Sequence, residues 1–126
     1  MAKTSGWIAI VDDDPSVLKA LAWLLGARSF NARTYQSARQ FLASLSGGLP
    51  DCLIADLQMP EMTGLELQQN LARKNIRIPT IIITGYDQAG MRERCKAAGA
   101  IAFLSKPLQD TSLFAAIDAA RGGTNS

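Results

Sequence analysis

The sequence predicts an α/β fold, a doubly wound parallel sheet of five strands, and three observations carry that prediction. Short apolar runs alternate with segments of helical periodicity five times along the chain. The connections are short, which requires right-handed crossovers and helices on both faces of the sheet. Ile81, Ile82 and Ile83 follow one another without polar alternation, the mark of a strand covered on both sides.

Strand 1 is predicted at residues 7–11. Helix 1 has Asp14 as N-cap and Pro15 at its first position, and Val17, Leu18, Leu21, Leu24 and Leu25 form its apolar stripe. Strand 2 is predicted at 32–35. Helix 2 starts at Ser37 as cap, carries Ala38, Phe41, Leu42 and Leu45 at helical spacing, and stops at Ser46, Gly47 and Gly48. Strand 3 occupies 52–55, a loop runs over 56–63, and helix 3 begins at Gly64 with Leu67 and Leu71 as anchors. Strand 4, at 79–83, is expected to be the most buried element. Helix 4 is predicted from about Gln88 to Ala98, and its stripe of Met91, Cys95 and Ala98 is thin, so it is expected to be the least firmly docked helix. Strand 5 spans 101–104, Pro107 breaks the chain, and helix 5 from Asp110 packs through Leu113, Ala116, Ile117 and Ala120. Residues 1–121 read as one domain and 122–126 as a tail or linker stub.

Composition narrows the function. With 126 residues and 48% hydrophobic content, the chain is sized for one domain with a proper core. The net charge is +2, and its 13 basic residues are dispersed, so charge alone does not indicate nucleic-acid binding. Arg92, Arg94 and Lys96 are the only local concentration, which a solvated helix face explains. Two cysteines, Cys52 and Cys95, are too few for a disulfide framework or thiolate metal site and are expected to pack as small hydrophobes. The chain contains no histidine, which excludes Ser-His-Asp and Cys-His catalysis and histidine zinc sites. No apolar stretch is long enough for a membrane span, and a cytoplasmic location is expected.

Five polar residues, Asp12, Asp13, Asp56, Thr84 and Lys106, stand at or just beyond the ends of strands 1, 3, 4 and 5. In a parallel sheet those ends share an edge, so the five side chains converge. Strand 2 ends on Tyr35 and Gln36 with no such group, which fits an edge position and the order 2-1-3-4-5. Two carboxylates ~5 Å apart at an effective dielectric of ~20 repel by roughly 3 kcal/mol. A cation is therefore expected among the acids. Magnesium suits the hard oxygen set, and manganese would substitute. Asp13 and Asp56 are the direct-ligand candidates, with the backbone carbonyl of Gln58 as a third and Asp12 acting through a bound water. A carboxylate in that setting can also be a nucleophile for phosphoryl transfer. Lys106 then serves one phosphoryl oxygen and Thr84 another. Taken singly, each residue has a plainer reading: an aspartate as a cap, Thr84 as a turn residue, Lys106 as a solvated lysine. Together they make coincidence improbable.

These residues, in this order, resemble the receiver domain of two-component response regulators. The resemblance is carried by Ile10-Val11-Asp12-Asp13-Asp14, by the stretch from Asp56 through Met59-Pro60 to Gly64, by Ile83-Thr84-Gly85-Tyr86, by Ala98-Gly99-Ala100 and by Phe103-Leu104-Ser105-Lys106-Pro107. It is most similar to the FixJ-type subfamily. The resemblance implies a flavodoxin-like fold of five βα units, with Asp56 as phosphoacceptor and Asp12 and Asp13 as the acidic metal pair. Thr84 becomes the switch hydroxyl, Lys106 the phosphate-binding lysine and Phe103 the switch aromatic, whose ring moves inward on phosphorylation. It also implies a cis Lys106-Pro107 peptide.

The function so implied is a signalling switch, not an enzyme acting on an external substrate. A histidine kinase or phosphotransfer protein would supply the phosphoryl group, and the surface of helix 4, strand 5 and helix 5, including Arg92, Lys96 and Phe103, would control dimerisation or an output partner. Gln58 and Tyr86 are expected to tune the lifetime of the phosphoryl group. Nucleic acid enters only through an output domain beyond this chain, for transcription regulation, and no membrane partner is expected. The alternative is a magnesium-dependent aspartyl-phosphate phosphatase, whose pattern normally needs a second acid where Gln58 stands. A flavin- or nucleotide-binding protein is disfavoured by the lack of a glycine-rich loop after strand 1.

Overall fold

The computed structural model describes residues 6–86 and 88–122. The expected tail at 122–126 lies outside the described residues except for Gly122. The strands are β1 (Ile8–Val11), β2 (Ala32–Tyr35), β3 (Cys52–Asp56), β4 (Thr80–Thr84) and β5 (Ala100–Ser105). They alternate with the helices α1 (Pro15–Ala27), α2 (Ala38–Ser44), α3 (Gly64–Arg73), α4 (Met91–Ala97) and α5 (Asp110–Ala120). Every strand pairing is parallel, in the order β2-β1-β3-β4-β5. This is the expected doubly wound sheet.

Side-chain alternation along the strands divides the core in two. Ile8, Ile10, Ile54, Ile81 and Ile83 meet α1 and α5 through Leu18, Leu21, Leu25, Leu113 and Ile117. Ala9, Val11, Leu53, Ala55 and Ile82 meet the α2, α3 and α4 layer through Phe41, Leu67, Leu71 and Cys95. β3 and β4 are buried at every position, as continuous apolar runs require. Cys52 is inside the core, and burial pushes its thiol up to about 12, so it packs as an inert hydrophobe.

Local signals set the helix starts. The Asp14 carboxylate accepts the Ser16 amide ahead of Pro15, and the Ser37 hydroxyl accepts the Gln40 amide. At α3, Thr63 and Glu66 form a reciprocal capping box. α4 differs from expectation by beginning at Met91, three residues later than Gln88. Gly90 precedes it in the left-handed region, φ 81°, and supplies no side-chain cap, so the chain is still turning where sequence pattern alone placed helix. Only Cys95 is buried in α4, consistent with a lightly docked helix. β5 also starts one residue early, at Ala100, because its pairing with β4 skips Ile101 in a bulge. Among the described residues no helix is long and apolar enough to cross a membrane.

Candidate functional site

The topology delivers all five strand-end residues to one edge. Asp56 and Thr84 are the last residues of β3 and β4, Asp12 and Asp13 follow β1 directly, and Lys106 follows β5. Backbone hydrogen bonds continue past the strands and fix these positions. The Asp12 amide donates to the Tyr35 carbonyl (3.1 Å), Leu57 to Ile83 (2.8 Å) and Lys106 to Thr84 (2.7 Å). The Lys106-Pro107 peptide is cis, as the resemblance implied. Gly64 brings the start of α3 hard against the site, since a Cβ there would lie 2.7 Å from the carbonyl oxygen of Asp56.

Oxygens of Asp12, Asp13 and Asp56 lie within 4.8 Å of one another. Asp12 is fully buried and both its oxygens are engaged: Oδ1 accepts the Asp14 amide at 2.9 Å, and Oδ2 accepts Lys106 Nζ at 3.3 Å. Lys106 Nζ also stands 3.8 Å from Oδ1 of Asp56. That oxygen is buried, and among the described residues nothing donates a hydrogen bond to it. Burial first and the Asp12 charge second push the Asp56 carboxyl up to about 6, against the opposing pull of Lys106. A buried, unsatisfied carboxylate oxygen beside two further hard oxygen donors fits a small divalent cation such as magnesium.

Thr84 is buried, and its hydroxyl lies 2.8 Å from two acceptors, Oε1 of Gln58 and the carbonyl of Tyr86. It accepts the Tyr86 amide at 3.1 Å, while Gln58 Nε2 donates to the Tyr86 carbonyl at 3.0 Å. Sequence reasoning brought Gln58 and Tyr86 near the site, but not this hydrogen-bonded ring. No periodicity or motif encodes a contact between two loops.

Phe103, expected within the face of α4, β5 and α5, lies on β5 with its side chain turned in under that face. It is only 4% exposed and packs in the core cluster under α4. Its side chain alternates inward along β5, and Arg92 covers it, with the guanidinium 4.9 Å from the ring centroid and donating to the Phe103 carbonyl at 3.2 Å. On β5 the exposed apolar residue is Ile101, 43% exposed at the bulge, and on α4 Arg92 and Lys96 are exposed.

With this geometry in place, comparison with known proteins identifies what the chain is similar to. The family described as response regulator receiver domain matches residues 8–118. The transcriptional regulatory protein FixJ of Rhizobium meliloti is 41% identical over 113 residues, covering 90% of this chain and 55% of the relative. The response regulator protein TodT of Pseudomonas putida is 37% identical, covering 95% and 53%. The chain thus spans about half the length of the curated relatives it matches. Among solved structures, FixJ-N superimposes with a TM-score of 0.88 at 37% identity, covering 98% of this chain and 99% of that one. A response regulator receiver protein from Burkholderia phymatum gives 0.82 at 41% identity, covering 94% and 96%.

Proposed function

This chain belongs to the response regulator receiver family, and from that premise we propose that it is a two-component signalling switch whose phosphoacceptor is Asp56. The observation that carries the assignment is the unsatisfied Oδ1 of Asp56, buried beside the Lys106 ammonium at 3.8 Å and within 4.8 Å of the oxygens of Asp12 and Asp13. An Asp56 oxygen attacks the phosphorus of a phosphohistidine on a partner kinase or phosphotransfer protein. The new O–P bond forms as the P–N bond breaks, and the electron pair leaves with the imidazole nitrogen.

Receiver domains bind magnesium at such an acidic pocket. In this chain the carboxylates of Asp12, Asp13 and Asp56 and the backbone carbonyl of Gln58 would hold it. When bound, the ion supplies neutralisation of charge on the phosphoryl oxygens. Lys106 pairs with one of those oxygens, which draws its ammonium from Asp12. Thr84 turns its hydroxyl onto another, and that movement is transmitted through Phe103 to the face of α4, β5 and α5. The proposed output is dimerisation or a partner contact, and transcription regulation where the chain forms part of a longer protein. Gln58 and Tyr86 govern water access to the acyl phosphate and thereby its lifetime, in a cytoplasmic setting where the switch resets itself by hydrolysis.

The direct test is incubation with magnesium and a small phosphodonor such as acetyl phosphate, read by intact mass. Wild type gains one phosphoryl group and Asp56→Asn gains none. Labelling of the variant, or none of wild type, removes Asp56 from this role.

A further inference from the structure

We propose that the Gln58 side chain is a latch that holds the Thr84 hydroxyl in the unphosphorylated protein and must be displaced by the phosphoryl group. This rests on the reading of Asp56 as phosphoacceptor and concerns what opposes the switch, separately from water access. The Thr84 hydroxyl has one proton to give. Its acceptors at 2.8 Å are Gln58 Oε1 and the Tyr86 carbonyl, so in this arrangement the proton is committed along the loops.

The carboxamide of Gln58 closes a ring. Oε1 takes the Thr84 proton, Nε2 donates to the Tyr86 carbonyl at 3.0 Å, and the Tyr86 amide donates back to Thr84 Oγ at 3.1 Å. The loop after β3 is thereby tied to the turn after β4. Thr84 is only 1% exposed, so its hydroxyl must always have an acceptor, because an unpaired buried hydroxyl is costly. The Gln58 side chain is exposed and can release into water, where its amide is satisfied at once. Competition is therefore between two loop acceptors and one incoming phosphoryl oxygen. Gln58 Oε1 is the one that leaves at little cost, and its Nε2 also holds the Tyr86 carbonyl in place as the other. Gln58 acts as a positioning residue through Thr84.

The test uses beryllofluoride with magnesium, a phosphoryl mimic whose binding is an equilibrium and so does not report phosphoryl lifetime. Calorimetric titration of wild type, Gln58→Met, Thr84→Ala and the double variant forms a cycle. Met keeps the length of Gln58 and removes its hydrogen bonds. Gln58→Met is expected to bind about five-fold tighter than wild type, the scale of one net hydrogen bond. In the Thr84→Ala background the same substitution should leave affinity unchanged. Unaltered affinity in Gln58→Met overturns the latch, as does equal tightening with Thr84 absent, which would mean that Gln58 acts by access to the site. If wild type binds no beryllofluoride, the Asp56 reading itself falls and the latch with it.

Discussion

Burial and the neighbouring Asp12 charge raise the Asp56 carboxyl from an ordinary 3.8 to about 6, and the sign of that change has consequences for stability. Below about pH 3.8 the group is protonated both folded and unfolded and carries no penalty. As pH rises from about 3.8 to about 6, the unfolded chain ionises while the folded protein keeps its proton. The penalty on the folded state grows across that window and levels off above it, where the buried group is charged. The folded state then loses on the order of 3 kcal/mol by neutral pH. Without metal, Asp56→Asn should therefore be more stable than wild type by about 1–3 kcal/mol at pH 7.5, and the difference should shrink toward pH 4.5. Urea unfolding in a chelating buffer at both pH values measures it; a variant less stable at pH 7.5, or a gap independent of pH, contradicts the electrostatic account. Asp56 was legible in the sequence because a polar residue ending a buried strand has few reasons to be there. The direction of the Thr84 hydroxyl was not, since it depends on where the Gln58 amide comes to rest.

At the scale of elements, α3 and α4 are attached in different ways. Gly64 lets α3 start in contact with the end of β3, where an added Cβ would lie 2.7 Å from the Asp56 carbonyl oxygen and 3.2 Å from Ile82 Cδ1. Gly64→Ala should destabilise the protein by about 1–3 kcal/mol and slow labelling by acetyl phosphate, because the backbone that must shift carries Asp56. Unchanged stability with unchanged labelling would show that the loop absorbs the methyl group elsewhere. α4, in contrast, buries only Cys95 and is tied by side-chain donors: Gln68 Nε2 to the Cys95 carbonyl at 3.2 Å and Arg92 to the Phe103 carbonyl. Amide exchange over residues 91–97 should be faster than over α3 or α5, and phosphorylation should alter it. Exchange as slow as in α3, before and after phosphorylation, would remove α4 from the switch. The thin apolar stripe foretold this weak docking. The true start of α4 was hidden, because Gly90 turns the chain by backbone conformation, φ 81°, and caps α4 with no side chain that a sequence pattern could mark.

Over the whole molecule, strand order was readable because function and topology constrain each other. Only β2, with Tyr35 and Gln36 at its end, lacks a charged or catalytic-looking group there, and an edge position for it lets the other four strand ends converge. What sequence could not give is the surface that the order creates at the opposite edge. Among the described residues β5 is an edge strand, and at the bulge opposite Thr80 and Ile81 its Ile101 is left 43% exposed. An exposed apolar side chain on the strand that pairs with β4, with exposed Arg92 and Lys96 on α4, suits a paired surface, and Phe103, covered by Arg92, joins α4 to the core. If the proposed output is self-association through α4, β5 and α5, phosphorylated wild type should sediment as a dimer and the unphosphorylated protein as a monomer. Ile101→Lys places a charge at the centre of that contact while leaving the acids and Lys106 untouched. It should accept the phosphoryl group normally and remain monomeric. Phosphorylated wild type that stays monomeric at every accessible concentration, or Ile101→Lys that dimerises as well as wild type, would place the output on another surface.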